Sequence, residues 1–178
     1  MPHVLEPASS ARAKCRGCGE RIAAGEVRFG ERLPNPFADG ENAEMTHWFH
    51  LRCAVYRRPE PVIATLEAAT TETVPNRDDL LREARLGVEH HRLPRLSTAE
   101  RASSGRAACR SCREPIAKDT WRISLVFYED GRFTPAGFVH IACAPAYFET
   151  PDILARVKHF SPALTDADLT DLRGQLPA

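Results

Sequence analysis

RAKCRGC, residues 12–18, returns 94 positions later as RAACRSC, residues 106–112. Each phrase is completed downstream by a histidine–cysteine pair. His50-x2-Cys53 follows the first after 31 residues, and His140-x2-Cys143 follows the second after 27. The two quartets, Cys15, Cys18, His50, Cys53 and Cys109, Cys112, His140, Cys143, use all six cysteines of the chain. A C-x2-C pair lets two thiolates grip one ion from a tight turn, and an H-x2-C pair adds two ligands from a single helical turn. Four sulfur and nitrogen ligands with none to spare describe a closed tetrahedral zinc site. Catalytic zinc keeps a coordination position open for water, and neither quartet offers one. A lone C-x2-C would also suit a redox pair. Two complete quartets in register favour two zinc ions over iron or disulfides.

The remaining composition narrows the class. Hydrophobic residues make up 43% and charged residues 27% of the 178 positions, an ordinary globular balance. No apolar run approaches the ~18 residues of a membrane span. The opening MPHVLEPASS lacks the basic and apolar regions of a secretory signal. The expected setting is intracellular and reducing, the cytoplasm or nucleoid of a bacterium or the nucleus of a eukaryote, where disulfides are disfavoured.

A net charge of zero conceals an asymmetry. Six basic residues face three acids in residues 11–32, and six face two in residues 101–122. Positive charge therefore gathers around both cysteine pairs; a solvated surface is the plain reading, and the repetition in both copies counts against it.

The repeat divides the chain into two modules, residues 1–93 and 94–178. In each, alternation after the cysteine pair reads as a strand: Val27, Phe29 and Leu33 share one face of Glu26–Leu33, and Trp121, Ile123, Leu125 and Phe127 one face of Thr120–Phe127. LPNPFADGENAEM and YEDGRFTPAG follow as turn-rich loops. Each module ends in an expected helix. Asn76 and Asp79 open one that carries Leu80, Leu81 and Ala84 and stops at Gly87. Thr165 and Asp168 open the other, with Leu169, Leu172 and Leu176 at helical spacing. Ser97 and Glu100 suggest a further short helix. The fold class expected is small α+β: two zinc-stapled fingers in tandem, each a short antiparallel sheet with a zinc site and flanking helices. Modules this small bury little apolar area, so metal serves as the staple.

The phrases SARAKCRGCGERIAAGEVRF and SGRAACRSCREPIAKDTWRI, each followed by H-x2-C, resemble poly(ADP-ribose) polymerase-type zinc fingers. HWFHLRC is close to the family's W-[YF]-H-x2-C, whereas the second copy has Phe138 at the tryptophan. The resemblance implies recognition of DNA strand breaks by structure. It implies backbone contacts from Arg12 and Arg28, then Arg106 and Arg122, with Arg16 and Arg110 at basic positions between the cysteines. It also implies a base-stacking loop, matched by Phe37 and Met45 in the first copy and by Phe133 and Pro135 in the second. His47 falls where the second copy has Gly137, which points to packing or to DNA and away from ligation.

No nucleophile–base pair or phosphate-cradling glycine loop is present, so no enzymatic activity is expected, nor a small-molecule substrate. The expected partners are broken duplex DNA and, through it, DNA repair enzymes, with no membrane. The competing readings are a zinc-stapled protein-interaction adaptor and a general single-strand or RNA binder.

Overall fold

The structure is a computed structural model that describes residues 3–35, 44–69 and 74–177. Contacts divide the chain into two compact units, Met1–Glu89 and His90–Ala178. The repeat offset alone would leave His90–Leu93 with the first module. They cluster instead with the second, where Leu93 is buried and the Arg92 guanidinium lies 5.4 Å from the Tyr147 ring centroid.

In the first unit, β1 (Val4–Pro7), β2 (Val27–Pro34) and β3 (Glu44–His50) form an antiparallel sheet in that order. Helices α1 (Leu51–Arg57), α2 (Pro59–Ala68) and α3 (Arg77–Glu89) follow. In the second, β4 (Leu96–Arg101), β5 (Trp121–Glu129) and β6 (Arg132–His140) repeat the sheet. A 3₁₀ turn, Ile141–Cys143, leads into α4 (Ala144–Phe148), α5 (Leu154–Phe160) and α6 (Asp166–Gln175).

Alternation decides which face of each sheet is covered. Ile123 and Leu125 of β5 and Val139 of β6 are fully buried, and Ile123 lines one apolar cluster with Ile153 just before α5, Val157 of α5 and Leu172 of α6. In the first unit Phe29 and Phe49 pair across β2 and β3, with ring centroids 6.4 Å apart. Such burial stabilises each side chain by about 1.5–3 kcal/mol.

Three sequence expectations need correction. Residues 97–100 lie in strand β4, not in a helix. The Thr98 amide donates to Ser124 Oγ at 3.0 Å and the Ala99 amide to Ser161 Oγ at 2.9 Å, so tertiary partners outweigh a weak capping signal. The stretch YEDGRFTPAG is a hairpin. Asp130 and Gly131 both take positive φ, 49° and 75°, as a two-residue type I′ turn requires. Gly87 sits inside α3, buried, and does not end it.

The hairpin carries one irregularity. Leu125 pairs with Gly137 and Val126 with Pro135, which makes Ala136 a bulge residue. Gly137, at φ 98°, occupies a conformation that L side chains rarely adopt.

The capping box of α6 is present: the Asp168 amide donates to Thr165 Oγ1 at 3.2 Å, and the Thr165 amide to Asp168 Oδ2 at 2.9 Å. Replacing the cap, Thr165→Ala, should destabilise the second unit by about 1 kcal/mol, lowering its unfolding midpoint by several degrees in calorimetry. An unchanged midpoint would show that the box contributes nothing.

Candidate metal centres and nucleic-acid interface

Each quartet is assembled from a turn, a strand end and the start of a helical turn. The ligand atoms of Cys15, Cys18, His50 and Cys53 lie within 4.8 Å of one another, as do those of Cys109, Cys112, His140 and Cys143. His50 Nδ1 is 3.3 Å from Cys18 Sγ and 3.8 Å from Cys53 Sγ; the matching distances at His140 are 3.4 and 3.8 Å. Tetrahedral zinc with Zn–S bonds of about 2.3 Å separates neighbouring ligand atoms by roughly 3.5–3.8 Å, so the quartets have the size that zinc requires.

The surrounding groups prepare these atoms as ligands. Amides of Gly17 and His50 donate to Cys15 Sγ, both at 3.3 Å, and amides of Ser111 and His140 donate to Cys109 Sγ, both at 3.4 Å. Backbone carbonyls meet the far side of each imidazole, Arg21 O at His50 Nε2 and Pro115 O at His140 Nε2, both at 3.2 Å. An Nε2–H donated there leaves Nδ1 free to coordinate metal.

Hydrogen bonds from Cys18 and Cys53 bring the Cys15 thiol down to about 3, helped by amides and opposed by burial. The same sulfurs drive Cys53 upward. At the second site burial pushes Cys109 up, but amides of Cys112, His140 and Ser111 bring it down to about 7. Burial and the Cys112 thiol push Cys143 up to about 12. Three sulfurs in one shell cannot all ionise unless a cation joins them. Each quartet is a site for one zinc ion.

The arginine positions line up on the zinc side of each sheet. Directly opposed residues in an antiparallel sheet share a face, and Glu6, Arg28 and His50 form one row across β1, β2 and β3. Glu100, Arg122 and His140 form the same row in the second unit. Arg28 and Arg122 are only 8% and 7% exposed. The Arg28 guanidinium lies 3.5 Å from the Trp48 ring centroid and Arg122 lies 3.6 Å from that of Phe138. A Cβ on Gly30 would stand 2.7 Å from the Trp48 ring, so this ring crosses the sheet only over a glycine.

Arg12, Arg16, Arg106 and Arg110 are exposed. Main-chain hydrogen bonds of 2.8 Å tie Arg16 to Trp48 and Arg110 to Phe138, fastening each cysteine turn to the aromatic strand. Arg110 Nε also donates to the bulge carbonyl of Ala136 at 3.1 Å. Met45 is half-buried in β3, and Pro135 is exposed in β6. Phe133 packs on Tyr128 with centroids 4.7 Å apart. Phe37 lies outside the described residues. His47 is buried, and burial, then Arg16, lowers its pKa. Glu6 and Glu100 were not apparent from the sequence, because the strands that present them carry no clear alternation.

Residues 6–91 match the family described as "Poly(ADP-ribose) polymerase and DNA-Ligase Zn-finger region". The first module is a finger of this family. The second repeats its ligands, its sheet and its glutamate–arginine–histidine row, and similarity to polymerases of the family extends across it, so the chain is a tandem of such fingers. Poly [ADP-ribose] polymerase 1 of Gallus gallus is 31% identical over 204 aligned positions, which take in 99% of this chain and 19% of that protein. Poly [ADP-ribose] polymerase of Drosophila melanogaster is 29% identical over 143, covering 72% of this chain and 14% of that protein. Polynucleotide 3′-phosphatase ZDP of Arabidopsis thaliana is 24% identical over 200, covering 97% and 28%. The tandem fingers thus span less than a third of each of these relatives. Among the described residues no helix is long and apolar enough to cross a membrane.

Stripping zinc should unfold both fingers, because structural zinc supplies about 10–16 kcal/mol of binding energy that counts toward folding. Far-UV and near-UV dichroism before and after exhaustive chelation checks this, and unchanged spectra would refute it. Zinc must also displace the proton that the raised pKa leaves on Cys53 and on Cys143 at neutral pH. Zinc affinity should therefore rise with pH through neutrality, with proton release detectable in a weakly buffered titration.

Proposed function

We propose that the tandem fingers recognise DNA strand breaks by structure, carry no catalysis of their own, and act inside the cell alongside DNA repair enzymes. The family match supports DNA binding in general. The observation that carries the finer reading is the duplicated surface: zinc ligand, aromatic ring and arginine recur on the same face of both sheets, with Arg16 and Arg110 fastened to the aromatic strand and Arg12 and Arg106 exposed. Arginine's planar fork suits phosphate oxygens. The buried Arg28 and Arg122 shape this face, and the exposed four meet the backbone first.

Phosphate contacts alone bind any duplex, so selectivity has to come from deformation. Bending 20–30 intact base pairs by 40–90° costs on the order of 1–6 kcal/mol. A nick interrupts one strand and lets the helix hinge more cheaply. Stacking on a base face exposed there, by Met45 or by Phe133 and Pro135, would add roughly 1–3 kcal/mol. A break has two flanks, and a tandem of fingers supplies one gripping face for each.

One titration tests the reading, with nicked duplex, intact duplex, single strand and hairpin RNA of matched length. Nicked duplex should bind at least about tenfold tighter than intact duplex, the effect of ~1.4 kcal/mol of avoided deformation. Equal affinities would leave a basic zinc protein without break selectivity, single-strand or RNA preference would favour the general nucleic-acid reading, and no binding the protein adaptor. In the same assay Arg106→Ala should weaken binding on every sequence alike and reduce the salt slope by about one. A loss confined to particular sequences would instead indicate base reading.

A further inference from the structure

We propose that Glu6 and Glu100 are positioning residues of the DNA face: each holds its arginine flat against an aromatic ring and fixes which N–H edge an incoming phosphate meets. This inference rests on the DNA-binding reading above and names residues through which that surface is organised.

The arrangement recurs in both fingers, with one contact more in the second. Arg28 Nη2 donates to Glu6 Oε1 at 2.6 Å, and Arg122 donates to Glu100 Oε1 from Nη2 at 2.5 Å and from Nε at 3.0 Å. Each glutamate opposes its arginine in the strand register, one position from the end of β1 or β4. The arginine side chains are 9% and 8% exposed, whereas the glutamates are 44% and 43% exposed. An aromatic ring covers one flat side of each guanidinium at about van der Waals distance.

Ring and carboxylate together remove the freedom of a side chain that otherwise samples many rotamers. The ring sets the plane of the fork, and the carboxylate sets its rotation within that plane. Among the described residues, Nη1 of either arginine makes no hydrogen bond, and Arg28 Nε is buried without one. Nη1 therefore remains for a second acceptor after the glutamate is satisfied. A phosphate oxygen is the acceptor suited to a pre-oriented, desolvated fork, because little rotamer entropy is left to lose on contact.

The same half-exposed carboxylate repels the DNA backbone. A glutamate that served only as counter-charge would therefore weaken binding, and its removal would strengthen it. A positioning role predicts the opposite sign. The test uses the full zinc-loaded chain with Glu6→Gln and with Glu100→Gln, titrated with nicked duplex over a series of salt concentrations beside the unaltered protein. Each variant should bind about tenfold more weakly, the worth of one charge-assisted hydrogen bond. The salt slope should fall by about one while zinc content stays at two per chain. A merely structural ion pair would shift the unfolding midpoint and leave the salt slope alone.

Unchanged or tighter binding with zinc retained overturns the proposal. Should a glutamine variant lose zinc, Glu6→Asp or Glu100→Asp decides, since it keeps the charge on a shorter arm. Weaker binding at an unchanged unfolding midpoint supports positioning, and unaltered affinity overturns it. If the unaltered chain binds no duplex, the break-sensing reading fails and this inference with it. If the unaltered chain binds nicked duplex and the variants match it, this inference alone fails.

Discussion

Three cysteine sulfurs and one imidazole nitrogen confined within 4.8 Å set the terms for each finger. Without a cation, charge repulsion keeps some of those thiols protonated, and the groups that meet there have little else to hold them. The cysteine turn closes on itself through a short bridge, Lys14 with Arg21 or Ala108 with Pro115, and meets its sheet through one main-chain hydrogen bond to the aromatic strand and the histidine amide on the first cysteine sulfur. Zinc ties that turn to the end of β3 or β6 and to the helical turn that follows. Arg16 and Arg110 ride on the turn, and the buried arginine shares a row with the ligating histidine. Metal coordination and the shape of the basic face are therefore parts of one construction.

The two fingers solve the same packing problem with different materials. On the helix side of the first sheet, Glu31 accepts from Arg58 at 2.6 Å while only 2% exposed, close to the buried His47. The matching positions of the second finger are Leu125, Phe148 and Gly137. A buried ion pair gains little net stability over apolar packing, but losing one partner costs several kcal/mol because the other charge is stranded. The first finger thus has a less forgiving interior. On the zinc side the difference is steric. Trp48 requires Gly30, whereas the smaller Phe138 coexists with Ser124.

How far the amino-acid order revealed this arrangement depends on the range of the forces involved. Ligand spacing is local within each half-site, so both metal centres were legible, as were β2, β5 and the Thr165 cap. The tight hairpin also had its signal in Asp130 and Gly131, although polar and proline-bearing neighbours disguised it as an open loop. Strands β1 and β4 were not legible. They are short edge strands held by pairing to distant partners, and Ser97 and Glu100 mimic a helix cap. The burial of Arg28 and Arg122 was hidden for a related reason. A charged residue reads as exposed until the carboxylate and the ring that enclose it are known, and these come from two other strands.

The histidines are aimed by main-chain oxygens and not by side chains. Arg21 O serves His50 and Pro115 O serves His140, at the same 3.2 Å distance. Residues as dissimilar as arginine and proline can therefore fill that position without disturbing the metal. That one position after each cysteine pair is thus open to wide substitution, and an engineer could rewrite its charge or install a label there while leaving the imidazole tautomer intact.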